Sequence, residues 1–118
     1  MNIAITGASG MLGTALIDKL SNVFLIFATA RDQGLVKNNV SWQCFDLTNL
    51  TKLENWLVKI QPDVVIHCAA MVNVDECEFN EDLAYQLHVK TTEVIVDFLT
   101  ISNGRLIYIS TDSVFDGL

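Results

Sequence analysis

A glycine-rich segment near the start of the chain, Thr6-Gly7-Ala8-Ser9-Gly10-Met11-Leu12-Gly13, has the residue types and spacing of a phosphate-binding loop. It follows a short apolar run, Asn2–Thr6, and opens a helical pattern, so it stands at a strand-to-helix junction. Gly7 allows a tight turn, Gly10 lets a diphosphate approach the backbone, and Gly13 lets the helix pack closely on the strand. The spacing is GxxGxxG rather than GxGxxG, and we predict dinucleotide binding in preference to a glycine turn without a ligand.

Charged residues follow the next two apolar runs, where an adenosine would be recognised. Arg31 and Asp32 come directly after Val23–Ala30. At this place an arginine suits a 2′-phosphate and an acid suits a 2′-hydroxyl, unless both residues are ordinary solvated charges. Asp46 follows Val40–Phe45 and either accepts a hydrogen bond from the adenine amino group or forms an Asx turn.

Two further segments end apolar runs and could meet the rest of a ligand. Ligands of open α/β sheets lie beyond the carboxyl ends of the strands. The small residues of Cys68-Ala69-Ala70 would let a cofactor approach the backbone there, whereas His67 is interpreted as a strand residue. The hydroxyl of Thr111, in Ser110-Thr111-Asp112, could bond a substrate carbonyl oxygen, although such a triplet alone is typical of a turn.

These segments need a sheet that brings the strand ends together, and the apolar pattern predicts one. Apolar runs alternate with helical patterns along the whole chain. We predict strands at Asn2–Thr6, Val23–Ala30, Val40–Phe45, Val64–Cys68 and Leu106–Ile109, and helices at Met11–Leu20, Leu50–Ile60 and Glu81–Ser102. Strands that are continuously apolar are covered on both faces, so the fold class is α/β with a doubly wound parallel sheet in the order 3-2-1-4-5.

Three local signals refine the predicted helices. Leu12, Leu16 and Leu20 are spaced four apart and predict one face of the first helix. Thr51-Lys52-Leu53-Glu54 has the pattern of a capping box near the start of the second helix. Gly104 is expected to end the third helix.

Composition and charge exclude several classes of protein. An apolar content of 51% argues against disorder, and no uninterrupted apolar stretch reaches the roughly 18 residues of a membrane span. The net charge of −7 argues against nucleic-acid binding. The chain has three cysteines, which cannot all pair, so we expect free thiols and a cytoplasmic location. The candidate ligands His67, Cys68, Cys77 and His88 lack metal-site spacing, so no metal is predicted.

These motifs, in this order, resemble the extended short-chain dehydrogenase/reductases with their Rossmann fold. The resemblance is to the sugar-nucleotide branch of dTDP-dehydrorhamnose reductases and the related regulatory subunits of methionine adenosyltransferase. It rests on the glycine loop, Asp46-Leu47-Thr48, the segments 62–70 and 74–78, and Ile109-Ser110-Thr111-Asp112-Ser113-Val114-Phe115-Asp116-Gly117.

The resemblance implies a set of contacts to a nicotinamide dinucleotide. NADP is favoured over NAD because Arg31 stands where the 2′-phosphate would be bound. The implied cofactor residues are Gly7, Ser9, Gly10, Met11, Leu12, Gly13, Arg31, Asp46, Leu47, Cys68, Ala69, Ala70, Met71 and His88. Thr111 would be the hydroxyl of the catalytic set, with Asp112 beside it near the substrate.

The sequence departs from the family in two ways. The YxxxK motif, whose tyrosine is the family's general acid, does not occur in the 118 residues. His88 stands where the family usually has an asparagine in the long helix, which places an asparagine-organised water relay in doubt.

We therefore interpret residues 1–118 as an incomplete cofactor-binding domain, truncated after its fifth strand and without the substrate-binding part. A fifth strand left at the edge would invite pairing with a second copy. The expected function is the cofactor-binding part of an NADP-dependent reductase of a keto-sugar nucleotide. The alternatives are a non-catalytic NADP-binding regulatory module and, less in keeping with the glycine loop, a structural module without ligand.

Overall fold

The computed structural model describes residues 1–68 and 81–109, and for residues 81–87 the backbone alone. The strands are β1 (Asn2–Thr6), β2 (Leu25–Thr29), β3 (Val40–Trp42), β4 (Val64–His67) and β5 (Arg105–Tyr108). The helices are α1 (Met11–Leu20), α2 (Leu50–Ile60) and α3 (Glu81–Ser102). Each of these helices of the described residues has the predicted bounds.

The strands form one parallel sheet in the order β3-β2-β1-β4-β5, which confirms the predicted topology. The strand order therefore reverses between β1 and β4, and ligands of open α/β sheets bind beside such a reversal, beyond the carboxyl ends of the strands. Thr6 pairs with Thr29 on one side and with His67 on the other, and His67 pairs with Tyr108. This register places the ends of four strands at one level.

Two apolar clusters cover the two faces of the sheet. On one face α2 and α3 pack over Ala4 and Val65, and all four apolar residues predicted for α2 are buried: Leu53, Trp56, Leu57 and Ile60. On the other face α1 packs over Ile5, Ile26 and Ile66. Burial on both faces explains why the strands are continuously apolar rather than alternating.

The leucine face of α1 is only partly buried. Gly13 and Ile17 are the buried residues of this helix, whereas Leu16 and Leu20 are half-buried and Leu12 is exposed. Gly13 has no side chain, so α1 can approach Gly7 and Ala8 closely on the side of the helix where Ile17 is also buried. A periodicity argument that counts only large apolar residues cannot detect this.

The helix ends also differ from the predicted signals. The cap of α2 is Asn49, whose side chain accepts a hydrogen bond from the Lys52 amide, so the capping box starting at Thr51 is not formed. At the end of α3, Asn103 takes the left-handed conformation with φ 64°. Gly104 follows it, and its amide donates to the Leu99 carbonyl, as in a Schellman cap.

Some strand limits are shorter than the apolar runs. β2 starts at Leu25 because Val23 belongs to a turn, and β3 ends at Trp42 rather than Phe45. Phe45 is nonetheless buried and its amide donates to the Ala30 carbonyl, so the chain stays alongside β2 after β3 ends. Across residues 1–68 and 81–109, no helix is long and apolar enough to cross a membrane.

Candidate functional site

The glycine loop is shaped by two close backbone approaches. Gly7 has φ 62°, a conformation that residues with a side chain rarely adopt, and its carbonyl accepts a hydrogen bond from the Gly10 amide. A Cβ at Gly13 would lie 2.6 Å from both the Ala8 Cα and the Gly7 oxygen. The predicted roles of these two glycines in the turn and in the packing of α1 therefore have a direct steric basis.

Gly10 differs from the other two because the space beside it is open. A Cβ there would contact only the Gly7 oxygen, at 3.4 Å. Gly10 is the N-cap of α1 and supplies no side-chain cap, so the amides of the first turn have no intrahelical acceptor. A diphosphate could approach these amides, and the positive end of the helix dipole would favour it.

The side chains around this helix start are unusually exposed for their types. Met11 is 93% exposed and Leu12 is 39% exposed. Ser9, at the tip of the loop, is also exposed. An exposed apolar pair beside uncapped amides fits a ligand that has both a charged and an apolar part.

Arg31 and Asp46 meet beyond the ends of β2 and β3. The Arg31 guanidinium donates to the Asp46 carboxylate at 3.3 Å, with both side chains largely in solvent. The other Asp46 oxygen accepts bonds from the Thr48 amide at 2.9 Å and the Thr48 hydroxyl at 2.8 Å, so the Asx turn is formed. The Thr48 bonds and, to a smaller extent, Arg31 hold the pKa of Asp46 below its ordinary value. Arg31 is therefore an exposed cation beside a carboxylate that Thr48 holds in place.

Leu47 and Cys68 lie near the same edge of the sheet. Leu47 is half-buried and packs against the α2–α3 cluster. The Cys68 amide donates to the hydroxyl of Thr6 at 3.1 Å, and burial raises the pKa of its thiol. Cys68 is thus tied to the end of β1, beside the glycine loop.

A second constellation, which we call the histidine cluster, consists of Thr6, His67, His88 and Tyr108. Thr6, His67 and Tyr108 lie side by side at the ends of β1, β4 and β5. Helix α3 places His88 over them. The rings of His67 and His88 stack with centroids 6.0 Å apart, and both pack against Tyr108. His88 Nε2 and the Tyr108 hydroxyl are hydrogen-bonded.

His67 is the buried centre of the cluster. Its Nδ1 lies 2.6 Å from the Thr6 hydroxyl oxygen, while its Nε2 has no hydrogen-bond partner within the part of the chain that the structure describes. Burial, with a smaller contribution from the neighbouring His88, lowers the pKa of His67 to about 4. His67 is therefore neutral at physiological pH. His88 and Tyr108 instead border an open groove of about 320 Å³ along α3.

The structure brings together only some of the predicted site residues. The glycine loop, Arg31, Asp46, Leu47 and Cys68 share the carboxyl end of the sheet. The predicted residues Ala69, Ala70, Met71, Thr111 and Asp112 lie outside the described residues. Among residues 1–68 and 81–109, no three His, Cys, Asp or Glu side chains are grouped so that they could hold a metal ion.

Sequence reasoning missed Thr6 and Tyr108 as partners of the two histidines. The strand register that joins them could have been derived from the sheet order, since each is the last polar or amphipathic residue of its strand. The distance between α3 and the sheet, however, has no signal in the sequence.

A family model described as the RmlD substrate binding domain matches residues 1–118 of the chain. The chain belongs to this family. The match, together with the sheet order and the glycine loop, confirms the predicted relationship to the extended short-chain dehydrogenase/reductases of the dTDP-dehydrorhamnose reductase type.

Two curated relatives represent the two branches named from the sequence. A dTDP-4-dehydrorhamnose reductase of Mycobacterium tuberculosis is 34% identical over 115 residues, covering 98% of this chain and 34% of that protein. Methionine adenosyltransferase 2 subunit beta of Xenopus laevis is 31% identical over 114 residues, covering 96% of this chain and 33% of that protein. The chain spans about a third of the length of the curated relatives it matches.

A solved structure agrees with the fold. The hypothetical dTDP-4-dehydrorhamnose reductase from Sulfolobus tokodaii superimposes with a TM-score of 0.79 at 32% identity, over 93% of this chain and 39% of that one.

Proposed function

We propose that this chain is the cofactor-binding part of an NADPH-dependent reductase that acts on a keto-sugar nucleotide such as dTDP-dehydrorhamnose. The observation that carries the proposal is the start of α1, where uncapped amides follow a glycine turn at the carboxyl end of the sheet. Membership of a family whose relatives include dTDP-4-dehydrorhamnose reductases supports the substrate class.

In this proposal each part of the edge meets one part of the dinucleotide. The amides of Gly10 to Gly13 bind the diphosphate, and Met11 and Leu12 cover it. Arg31 pairs with the 2′-phosphate, and Asp46 and Leu47 line the adenine side. Cys68 to Met71 meet the ribose and nicotinamide side, and His88 supports them from α3. Bound NADPH supplies a hydride to the substrate carbonyl.

The substrate end of the proposal rests on Thr111 and Asp112. The Thr111 hydroxyl would donate a hydrogen bond to the carbonyl oxygen and orient it, with Asp112 holding the sugar nearby. Because the 118 residues contain no YxxxK motif, the protonating acid must come from elsewhere in the parent protein. We place residues 1–118 as an incomplete cofactor-binding domain of a cytoplasmic enzyme.

Calorimetric titration of the chain with NADPH, NADH and a dTDP-sugar tests the proposal. Gly10→Ala and Gly10→Val form a graded pair, because the site beside Gly10 is open and its backbone conformation suits both residues. We expect NADPH binding to weaken with alanine and to be lost with valine, while circular dichroism shows an intact fold. Wild-type affinity in Gly10→Val would overturn the assignment of the loop.

A non-catalytic regulatory module is the second candidate. It is favoured by the match to methionine adenosyltransferase 2 subunit beta, which covers nearly as much of the chain as the reductase match does. The discriminating measurement is calorimetry against the catalytic subunit of a methionine adenosyltransferase. Binding there, with no reduction of keto-sugar nucleotides by the parent protein, would favour this candidate.

A further inference from the structure

The connection between β2 and β3, residues 30–39, contains no helix although the two strands are parallel. Parallel neighbours are usually joined by a longer crossover that includes one. This connection is instead tethered to α1. The Lys37 ammonium donates to the Asp18 carboxylate at 2.9 Å, and the Asn39 side chain donates to the Ser21 carbonyl at 3.3 Å. It is therefore a fixed strap rather than a loose loop.

The strap also touches the glycine loop, and the contact is made at Gly34. A Cβ on Gly34 would lie 3.0 Å from the Ser9 Cα and 3.2 Å from the Trp42 ring. The Trp42 indole N–H donates to the Leu35 carbonyl at 3.0 Å, which holds the strap in place from the other side. Gly34 is not in the left-handed region, so what requires a glycine here is space and not backbone conformation.

The contact joins the two parts of the site that a dinucleotide must bridge. Ser9 directly precedes the N-cap of α1, where the diphosphate would bind. Arg31 lies at the start of the same strap, where the adenosine 2′-phosphate would bind. Gly34 therefore lies in the strap that runs from Arg31 and contacts the residue preceding the N-cap of α1.

We propose that Gly34 is a positioning residue that determines cofactor specificity by fixing the distance between the phosphate loop and Arg31. The proposal rests on the proposed binding of a nicotinamide dinucleotide. It concerns neither the amides nor Arg31 themselves but the spacer between them. A methyl group at Gly34 requires Ser9, Trp42 or the strap to give by a few tenths of an ångström, and we expect part of that shift to reach Arg31 at the start of the strap.

The test compares Gly34→Ala with Gly104→Ala by calorimetry with NADPH and NADH. Gly104 is a matched control because a Cβ there would also clash, 2.6 Å from the Leu99 side chain and 3.0 Å from the Asp63 carbonyl. It lies at the amino end of β5, away from the site. We expect Gly34→Ala to weaken NADPH binding roughly fivefold or more. NADH binding should weaken less, so the ratio of the two affinities narrows. Gly104→Ala should lower stability without changing either affinity.

A second variant covers the case in which Gly34→Ala does not fold. Trp42→Phe keeps an aromatic ring but removes the hydrogen bond to Leu35, so it loosens the strap without a clash. We expect the same narrowing of the affinity ratio, to a smaller extent. In folded Gly34→Ala, Trp42 fluorescence should shift before any ligand is added.

The outcomes separate the two proposals. If the wild-type chain binds neither nucleotide, the proposed function fails and this inference fails with it. If the wild type binds NADPH but folded Gly34→Ala has an unchanged ratio, the spacer role alone is overturned. An equal loss for NADPH and NADH also overturns it, because general damage to the loop would produce that result.

Discussion

The glycine loop and the histidine cluster lie at the same end of the sheet but are built in opposite ways. The loop presents backbone amides, and its shape depends on the absence of a side chain at Gly7 and Gly13, whereas Gly10 leaves open space beside the helix start. The cluster consists of side chains from three strands and a helix, centred on the buried ring of His67. Backbone recognition is set by local steric rules, whereas the cluster depends on strand register and on the packing of α3.

This contrast indicates how each region responds to change. In the loop, a single added carbon alters either the fold or ligand access, depending on which glycine receives it. In the cluster, the sensitive quantity is the protonation state of a buried ring. Four experiments follow, in order of expected effect.

The largest effect concerns chemistry that neither region supplies. Loss of a positioned general acid costs about a hundred- to ten-thousand-fold in rate, and no YxxxK motif is present in the 118 residues. We expect the purified chain to bind NADPH. Its rate of NADPH oxidation with dTDP-4-keto sugars should be at least about a hundredfold below an ordinary reductase rate. Absorbance of the reduced cofactor measures it. Turnover at reductase rates would mean that Tyr85, Tyr108 or His88 supplies the proton.

The next effect separates two glycines of the same loop. Gly13→Ala places a methyl group against the backbone of Gly7 and Ala8, and we expect it to lower the free energy of unfolding by about 3 kcal/mol or more. Gly10→Ala should lower it by less than about 1 kcal/mol, because only the Gly7 oxygen is near. Urea unfolding of the two variants gives the comparison. Equal stabilities would show that the loop is not held by the close approach of α1.

The histidine cluster should make stability depend on pH. Unfolded His67 binds a proton below about pH 6.5, whereas the folded ring, with a pKa of about 4, does not do so until lower pH. The unfolded state therefore holds more protons in this window, and stability falls as pH drops from about 6.5 to about 4. We expect the free energy of unfolding, measured with urea, to be about 2–3 kcal/mol lower at pH 4 than at pH 6.5.

The matched variant for this measurement is His67→Asn. It keeps a polar group beside Thr6 but does not titrate, so the loss between the two pH values should be smaller than in the wild type. Carboxylates such as Asp46 titrate in both proteins and cancel in the comparison. If the free energy of unfolding falls equally with pH in both proteins, the pH dependence does not come from His67.

The smallest expected effect is that of Arg31, the exposed cation beyond the end of β2. Arg31 donates a hydrogen bond to Asp46, and both side chains are well solvated. A charge-assisted contact to phosphate contributes about 1.5–3 kcal/mol. We expect Arg31→Ala to narrow the NADPH/NADH affinity ratio roughly tenfold. If the wild type already binds NADH as well as NADPH, Arg31 is a surface charge and Asp32 becomes the candidate ribose ligand.

The sequence was sufficient for features governed by local rules. Strand order and helix bounds follow from continuous apolar runs, and the roles of Gly7 and Gly13 follow from the spacing of the loop. Which face of α1 is buried could not be derived from its leucines, because Gly13 and Ile17 are the buried residues. The predicted capping box of α2 was wrong because Asn49 rather than Thr51 is the N-cap of the helix.

The remaining features depend on contacts between segments that are distant in the chain. Nothing in the sequence around Gly34 indicates that it touches Ser9, since the contact depends on the path of a connection without regular structure. The pairing of Arg31 with Asp46 likewise needs the neighbouring positions of β2 and β3. The stacking of His67 on His88 needs the distance between α3 and the sheet.

The Thr6 hydroxyl has a consequence for where the protons of the cluster reside. Its oxygen accepts a hydrogen bond from the Cys68 amide and lies 2.6 Å from His67 Nδ1. A hydroxyl has one proton and two lone pairs, so Thr6 can either donate to His67 Nδ1 or accept from it while it accepts from the Cys68 amide. The neutral ring then carries its hydrogen on Nε2 in the first case and on Nδ1 in the second. A threonine on the neighbouring strand therefore links the tautomer of His67 to the backbone at Cys68.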